Sequence, residues 1–204
     1  MSQIKMTTII GITGSISSGK TVAAKIFSRH WYNRIDADEI GHQILQKNSD
    51  AYRRVIKEFG NEILDKNRNI DRKKLGDVVF NDDKKLKKLN SITHPMILNE
   101  IRKQIKKIQK KCGNKTKIII DAPLLLETKA KDLIDKIIVV KTDKKNIYER
   151  AGKKYPREKI EKILKSQMPL EEKLKRADFV IDNNKDLRHL EKQILGIIQN
   201  IEKK

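Results

Sequence analysis

Residues Gly14 to Thr21 read Gly-Ser-Ile-Ser-Ser-Gly-Lys-Thr, the complete spacing G-x-x-x-x-G-K-[ST], and their neighbours supply the strand before and helix after that this spacing requires. Thr7 to Thr13 is apolar and largely β-branched, as a strand buried on both faces of a parallel sheet reads. Val22 to Phe27 follows with helical spacing, Val22 and Ile26 falling on one face. Between them, backbone N–H groups of the loop and of the helix start have no intrahelical partner, and the helix dipole favours anions there. The segment Gly14, Ser15, Ile16, Ser17, Ser18, Gly19, Lys20 and Thr21 is therefore a phosphate loop, and the ligand it predicts is ATP or GTP. Lys20 is expected to reach the β- and γ-phosphates and the Thr21 hydroxyl to ligate Mg²⁺.

The rest of the chain alternates strands with helices, the order that builds a parallel sheet with crossover helices. Tyr32 to Asp36, Lys117 to Asp121, Lys136 to Val140 and Asp178 to Asp182 read as four further strands. The last three each end in polar residues at the C-terminal edge, where ligands collect in open α/β sheets. From Glu39 to Lys111 no strand pattern occurs. Tyr52 to Phe59, Arg72 to Phe80 and Asp83 to Lys111 read as helices, with Pro95 near a helix start or a kink. The sheet is thus interrupted by a helical insertion. A second, smaller insertion, Arg150 to Gln167, carries basic residues with Gly152 and Pro156, the composition of a mobile lid over anions. Leu187 to Ile201 reads as an amphipathic helix docked on the sheet.

At 204 residues the chain can bury one substantial core and carry such insertions. Its net charge is +20, which invites a nucleic-acid reading, but the lysines spread over nearly every helix and aromatics are only 4%, leaving no base-stacking basic cluster. No specific nucleic-acid partner is expected. Cys112 is the single cysteine, so no intrachain disulfide forms, and the four histidines show no metal-ligand spacing with it. The longest apolar runs are strand-sized and the N-terminus lacks an apolar signal segment, so a cytoplasmic protein away from membranes, and a monomer, is expected.

The acceptor is to be sought in carboxylates at the other strand ends. Asp36-Ala37-Asp38 follows the second strand directly, and phosphoryl transfer to a hydroxyl is mostly positioning and charge stabilisation, with a carboxylate taking the proton. Asp38 is the candidate base. Asp36 either holds a Mg²⁺-bound water or caps the following helix. Asp121 closes its apolar strand like a Walker-B carboxylate, binding Mg²⁺ through water or orienting the acceptor. Leu124 to Leu126 either wall an organic substrate or belong to the core.

With these residues in view, the chain resembles the dephospho-coenzyme A kinase family. The resemblance rests on Ile10 to Gly14 into the phosphate loop, Ile35-Asp36-Ala37-Asp38, Ile70-Asp71-Arg72 with Leu75-Gly76, Leu89 to Pro95, Asp121 to Glu127, Gln167-Met168-Pro169 and Ala177 to Asn184. It implies a P-loop NTPase fold, a three-layer α/β/α core with a five-stranded parallel sheet, a helical substrate-binding insertion and a small lid. The implied division is a nucleotide-binding core at 1–38, 115–149 and 168–204, a helical part for the coenzyme A moiety at 39–114 and a lid at 150–167. The implied activity is transfer of the ATP γ-phosphate to the ribose 3′-hydroxyl of dephospho-coenzyme A with Mg²⁺. By motif, Asp38 matches the base, Lys20 and Thr21 the phosphate and magnesium contacts, and Asn183 and Asn184 the segment near adenine. His94, with Asp121 and Leu124, falls on the acceptor side, and Arg150 matches a lid cation that clamps phosphate.

Two departures stand out. The family's loop usually has glycine where this chain has Ser15 and Ser17, so a loop residue needing positive φ would be strained. The family's lid usually has a second arginine shortly after the one matching Arg150, where this chain reads Ala151-Gly152-Lys153-Lys154-Tyr155, so either stabilisation by the lid is weaker or Arg157 serves, and the second clamp stays open. Rival readings are a kinase of another small hydroxyl compound, such as a nucleoside or shikimate, and a basic nucleic-acid-binding ATPase. Lys141-Thr142-Asp143 resembles part of a guanine-reading motif, but Val140 stands where that motif has Asn.

Overall fold

The structure is a computed structural model, and it describes residues 7–113 and 115–203. The expectation about the N-terminus bears on residues 1–6, and the domain boundary expected at 114 falls on a single residue; both lie outside the described residues. The chain divides into two compact units, one formed by the chain up to Asp36 together with Gln104–Lys204, the other by Ala37–Lys103.

The first unit is an α/β/α layered core built on five strands: β1 (Thr8–Gly14), β2 (Asn33–Asp36), β3 (Lys117–Asp121), β4 (Lys136–Lys141) and β5 (Phe179–Asp182). They pair in parallel in the order β2-β3-β1-β4-β5, so β1 is central. On one face, Ile10 and Ile12 of β1, Ile119, Ile138, Val140 and Ile181 pack with Ala23, Ile26 and Phe27 of α1 (Lys20–Arg29) and with Leu190, Ile194, Ile197 and Ile198 of α9 (Leu187–Glu202). On the other face Gly11 lies under Leu125 and Ile134: a Cβ on Gly11 would stand 2.3 Å from Leu125 Cδ2. From β1 the chain crosses to β2 at one edge and returns through β3 between the two, while β4 and β5 extend the sheet on the other side of β1. That reversal of strand order beside β1 is where open α/β sheets hold ligands, at the C-terminal ends of their strands.

The unit is completed by α6 (Lys144–Gly152), α7 (Arg157–Ser166) and the short α8 (Leu170–Leu174). The pair α6 and α7 closes on Ile147, Ala151 and Ile160, with Ile16 of the phosphate loop packed against them.

The second unit holds α2 (Ala37–Ile44), α3 (Asp50–Phe59), α4 (Arg72–Val79) and the first part of α5 (Asp83–Cys112). Its core is Tyr52, Val55, Phe59, Ile63, Leu64, Leu75 and Val79. The starts of α3 and α4 are side-chain capped: Ser49 accepts from the Tyr52 N–H at 3.0 Å, and Asp71 from the Lys73 and Lys74 N–H groups at 2.8 and 3.2 Å.

Two sequence expectations are adjusted. Of the helix start or kink expected at Pro95, the start is set aside: Pro95 lies in the interior of α5, and the Thr93 hydroxyl donates to the Leu89 carbonyl one turn earlier. A proline removes one N–H from a helix, and in a helix of 30 residues the remaining ladder tolerates that loss. Tyr32, expected to open the second strand, stays outside it, its ring buried edge-on against Phe27 with centroids 5.3 Å apart.

Candidate active site

The phosphate loop connects the central strand to α1, and Gly19 initiates that helix with φ 91°. No side chain caps the helix and its first turn has no acidic residue, so the N–H groups of its start remain available to an anion. The loop is held from behind. The Ser18 carbonyl accepts from the Thr142 hydroxyl at 2.9 Å and from the Asn183 side-chain amide at 2.7 Å, both bonds buried. Gly19 is packed so closely on that amide that a Cβ would stand 2.1 Å from Asn183 Nδ2. The Ile16 N–H donates to Gln167 Oε1 at 3.2 Å, tying the loop to the residue that follows α7. Of the two serines that replace glycine in the resembled pattern, Ser17 has φ 54° and Ser15 does not have positive φ.

In front of the loop lies a cavity of about 580 Å³, lined by Ile16, Ser17, Gly19, Lys20 and Thr21 together with Arg150, Lys154, Tyr155, Asn183 and Lys185. It is a cationic cavity at a helix N-terminus, the combination that binds phosphoanhydrides. Arg150 is oriented by its own bond, Nη2 donating to the Asn183 carbonyl at 3.0 Å. Lys154 joins it at the cavity, whereas Arg157 pairs with Glu161 at 3.3 Å and lies over the Tyr148 ring at 4.9 Å. Asn184 is not among the lining residues. Its Oδ1 accepts from the Asp143 N–H at 2.8 Å and from Asn146 at 3.0 Å, where it serves the start of α6.

At the C-terminal edge of β2 and β3, Asp36 and Asp121 are register partners. Arg34, two residues before Asp36 and so on the same face of β2, bonds both carboxylates, reaching Asp121 Oδ2 at 2.8 Å. Asp121 is 2% exposed, and its Oδ1 has no hydrogen-bond partner. A buried carboxylate oxygen without a partner, on the strand next to the one that feeds the loop, fits a Mg²⁺ ion arriving with a nucleotide, with the Thr21 hydroxyl at the loop as a second oxygen donor. Among the described residues no cluster of three or more His, Cys, Asp or Glu forms a resident metal centre, so such an ion would be held mainly by phosphate and water oxygens.

Asp38 and His94 belong to the second unit. Asp38 is an exposed residue in the first turn of α2, and His94 is half-buried within α5. Leu124 is half-buried, whereas Leu125 and Leu126 are core residues at 0% and 3% exposure, so of the three only Leu124 keeps a wall accessible.

Sequence reasoning missed several residues of this region. Arg34 had a signal, the period-two spacing with Asp36 on a strand that ends at the site. Thr142 carries in the sequence only a weak likeness to a guanine motif, and its hydroxyl is a buried brace of the loop. Lys173 sat in the run Glu171-Glu172-Lys173-Leu174-Lys175, which reads as a solvated face, yet it is fully buried.

A P-loop embraced by a five-stranded parallel sheet, with cations from a following helical pair at its mouth, defines the class: a P-loop kinase. Residues 8–189 match the family model described as Dephospho-CoA kinase. The chain is similar to the dephospho-CoA kinase of Fusobacterium nucleatum, 44% identical over 197 residues covering 95% of this chain and 98% of that one. It is similar also to that of Carboxydothermus hydrogenoformans, 43% identical over 193 residues covering 94% and 93%. The solved structure of the Campylobacter jejuni dephospho-CoA kinase superposes with a TM-score of 0.69 at 33% identity, over 97% of this chain and 98% of that one. The chain belongs to the dephospho-CoA kinase family. Among its described residues no helix is long and apolar enough to cross a membrane.

Proposed function

We propose that the protein transfers the γ-phosphate of ATP to the ribose 3′-hydroxyl of dephospho-CoA, giving CoA and ADP. The observation that carries this reading is the family match along nearly the whole chain, coupled to a phosphate loop whose cavity gathers Lys20, Arg150 and Lys154. In this reading the loop N–H groups and Lys20 take the β- and γ-phosphates, and Arg150 with Lys154 neutralises charge that spreads over the transferred group. Thr21 and Asp121, the latter directly or through water, would hold Mg²⁺, which would supply neutralisation of phosphate charge. Asp38 accepts the proton of the attacking 3′-hydroxyl. His94 and Leu124 contact the acceptor. Asn183 acts on the nucleotide through the loop backbone it braces, and Asn184 by fixing the start of α6 near the adenine end.

The helical part from 39 to 114 receives the coenzyme A moiety in this account, residues 1–38, 115–149 and 168–204 hold the nucleotide, and residues 150–167 close over the phosphates as a lid. The protein acts as a cytoplasmic monomer on these two small molecules, with no specific nucleic-acid partner. The test is ADP release from ATP and Mg²⁺ with dephospho-CoA, adenosine, shikimate or no acceptor. Turnover confined to dephospho-CoA is the expected result; turnover confined to another acceptor would overturn the assignment.

A further inference from the structure

Among the described residues, the most deeply buried cation is one to which the proposed reaction gives no role. Lys173, on α8, is 0% exposed, yet the same charge run leaves Lys175 at 71%. Its Nζ donates to the Pro123 carbonyl at 2.8 Å and pairs with Glu127 Oε1 at 3.1 Å. Burial pushes its pKa down, Glu127 pulls it back up, and the nearby Lys20 of the phosphate loop pushes it down again.

Burying an ammonium is unfavourable unless it is paired and hydrogen-bonded, and an apolar side chain of similar volume often serves stability as well or better. The bonds that Lys173 makes indicate another use. The Pro123 carbonyl also accepts from the hydroxyl of Thr13, the residue before the phosphate loop, at 3.0 Å. Glu127 Oε1 also accepts from the Met168 N–H at 2.9 Å, and the preceding Gln167 takes the Ile16 N–H of the loop itself. Lys173 therefore stands at the junction of three segments: the start of the loop, the stretch after β3 that begins at Asp121, and the stretch that follows α7.

We propose that Lys173 is a positioning residue for phosphoryl transfer, fixing the Asp121–Glu127 segment against the phosphate loop through the Pro123 carbonyl and Glu127. This rests on the proposed kinase reaction. Asp121, two residues before Pro123, and Leu124, directly after it, are the magnesium and acceptor contacts in that reaction, so a shift of this segment displaces the acceptor from the phosphates while the loop N–H groups and Lys20 keep the nucleotide bound. A misplacement of about 1 Å in a reacting geometry lowers rate on the order of 10²-fold.

The test compares Lys173→Met, Lys173→Arg and Glu127→Gln with the unaltered protein, reading kcat, KM for the acceptor, equilibrium binding of a fluorescent ATP analogue, and thermal unfolding. The expected result for Lys173→Met is a kcat reduced about 10- to 100-fold with unchanged nucleotide affinity. Glu127→Gln, which keeps an acceptor oxygen but loses the charge, is expected to fall between, and Lys173→Arg to restore part of the rate. A Lys173→Met protein that unfolds at lower temperature but turns over at the full rate overturns the proposal, since that marks a purely structural lysine. Should Lys173→Met fail to fold, Glu127→Gln carries the decision: full kcat in that variant overturns the proposal as well. The rates are measured with whichever acceptor the unaltered protein phosphorylates. A wrong acceptor then shows in the unaltered protein and a wrong role for Lys173 shows only in the variants.

Discussion

The side-chain amide of Asn183 donates to the Ser18 carbonyl at 2.7 Å, and its nitrogen lies only 2.1 Å from where a Cβ of Gly19 would stand. One residue at the end of β5 thus fixes both the backbone and the close packing of the phosphate loop. With the Thr142 hydroxyl on the same carbonyl, the loop is preorganised before any nucleotide arrives.

Asn183→Ala is expected to lower stability by about 1–2 kcal/mol, as a buried hydrogen bond is lost while Thr142 still satisfies the carbonyl. Combining it with Thr142→Val leaves that buried carbonyl unpaired, so the double variant should lose more than the sum of the singles. Urea unfolding of the four proteins measures this; strict additivity would show that the two bonds do not share one acceptor in solution.

Ser17 sits at φ 54°, where an L-residue is disfavoured and glycine is not. Ser17→Gly is expected to raise stability by up to about 1 kcal/mol, the relief of strain being partly offset by the freer unfolded chain. Ser15→Gly, at a position without positive φ, should instead be neutral or destabilising. Melting temperatures of the two variants decide the matter, and a gain at Ser15 with none at Ser17 would contradict the loop geometry.

Tyr32 is 2% exposed, its hydroxyl has no hydrogen-bond partner, and burial, with Glu202 nearby, raises its pKa from 10.0 to about 12. Between these values the unfolded chain gives up the phenolic proton while the folded chain keeps it. Stability is therefore fully present below pH 10 and falls as pH rises toward 12, by about 3 kcal/mol for a shift of two units. Tyr32→Phe removes that slope. The variant should match or exceed the unaltered protein at pH 7, by about 1 kcal/mol at most, with a margin that widens on the alkaline side. Denaturant titrations at pH 7 and pH 11 measure it, and a margin that narrows would contradict the burial of a neutral phenol.

Asp38→Asn should leave ATP binding nearly intact and lower turnover about 10²–10⁴-fold, the contribution of a general base. Lys20→Ala should weaken both. Nucleotide titration beside steady-state rates separates the two, and full turnover in Asp38→Asn would assign the proton to another group.

The fold was legible because its signals are local. The loop spacing, the apolar strands and the polar residues at their ends each reflect one segment's requirements. The five-strand sheet follows from their alternation. What escaped depends on pairs brought together by topology. Arg34 meets Asp121 only because β2 and β3 are neighbours, and nothing near residue 121 announces an arginine at 34. Lys173 is hidden by its own charged neighbours, since burial of a cation depends on Glu127 and Pro123, far away in sequence. Motif places the asparagines 183 and 184 but does not disclose their bonds, which depend on distant segments: one braces the loop and the other serves a helix start. At Pro95 the sequence leaves a helix start and a kink both open, because proline marks helix ends on average while a long helix such as α5 accommodates one within it.

The most direct test of the central claim follows the phosphate itself. ATP labelled at the γ-phosphate is incubated with Mg²⁺, dephospho-CoA and the protein, and the labelled product is digested with a 3′-nucleotidase. The account predicts label in a CoA product, one per ADP formed, all of it released by that enzyme. Label appearing only as free phosphate, or at a position the nucleotidase does not attack, would contradict it.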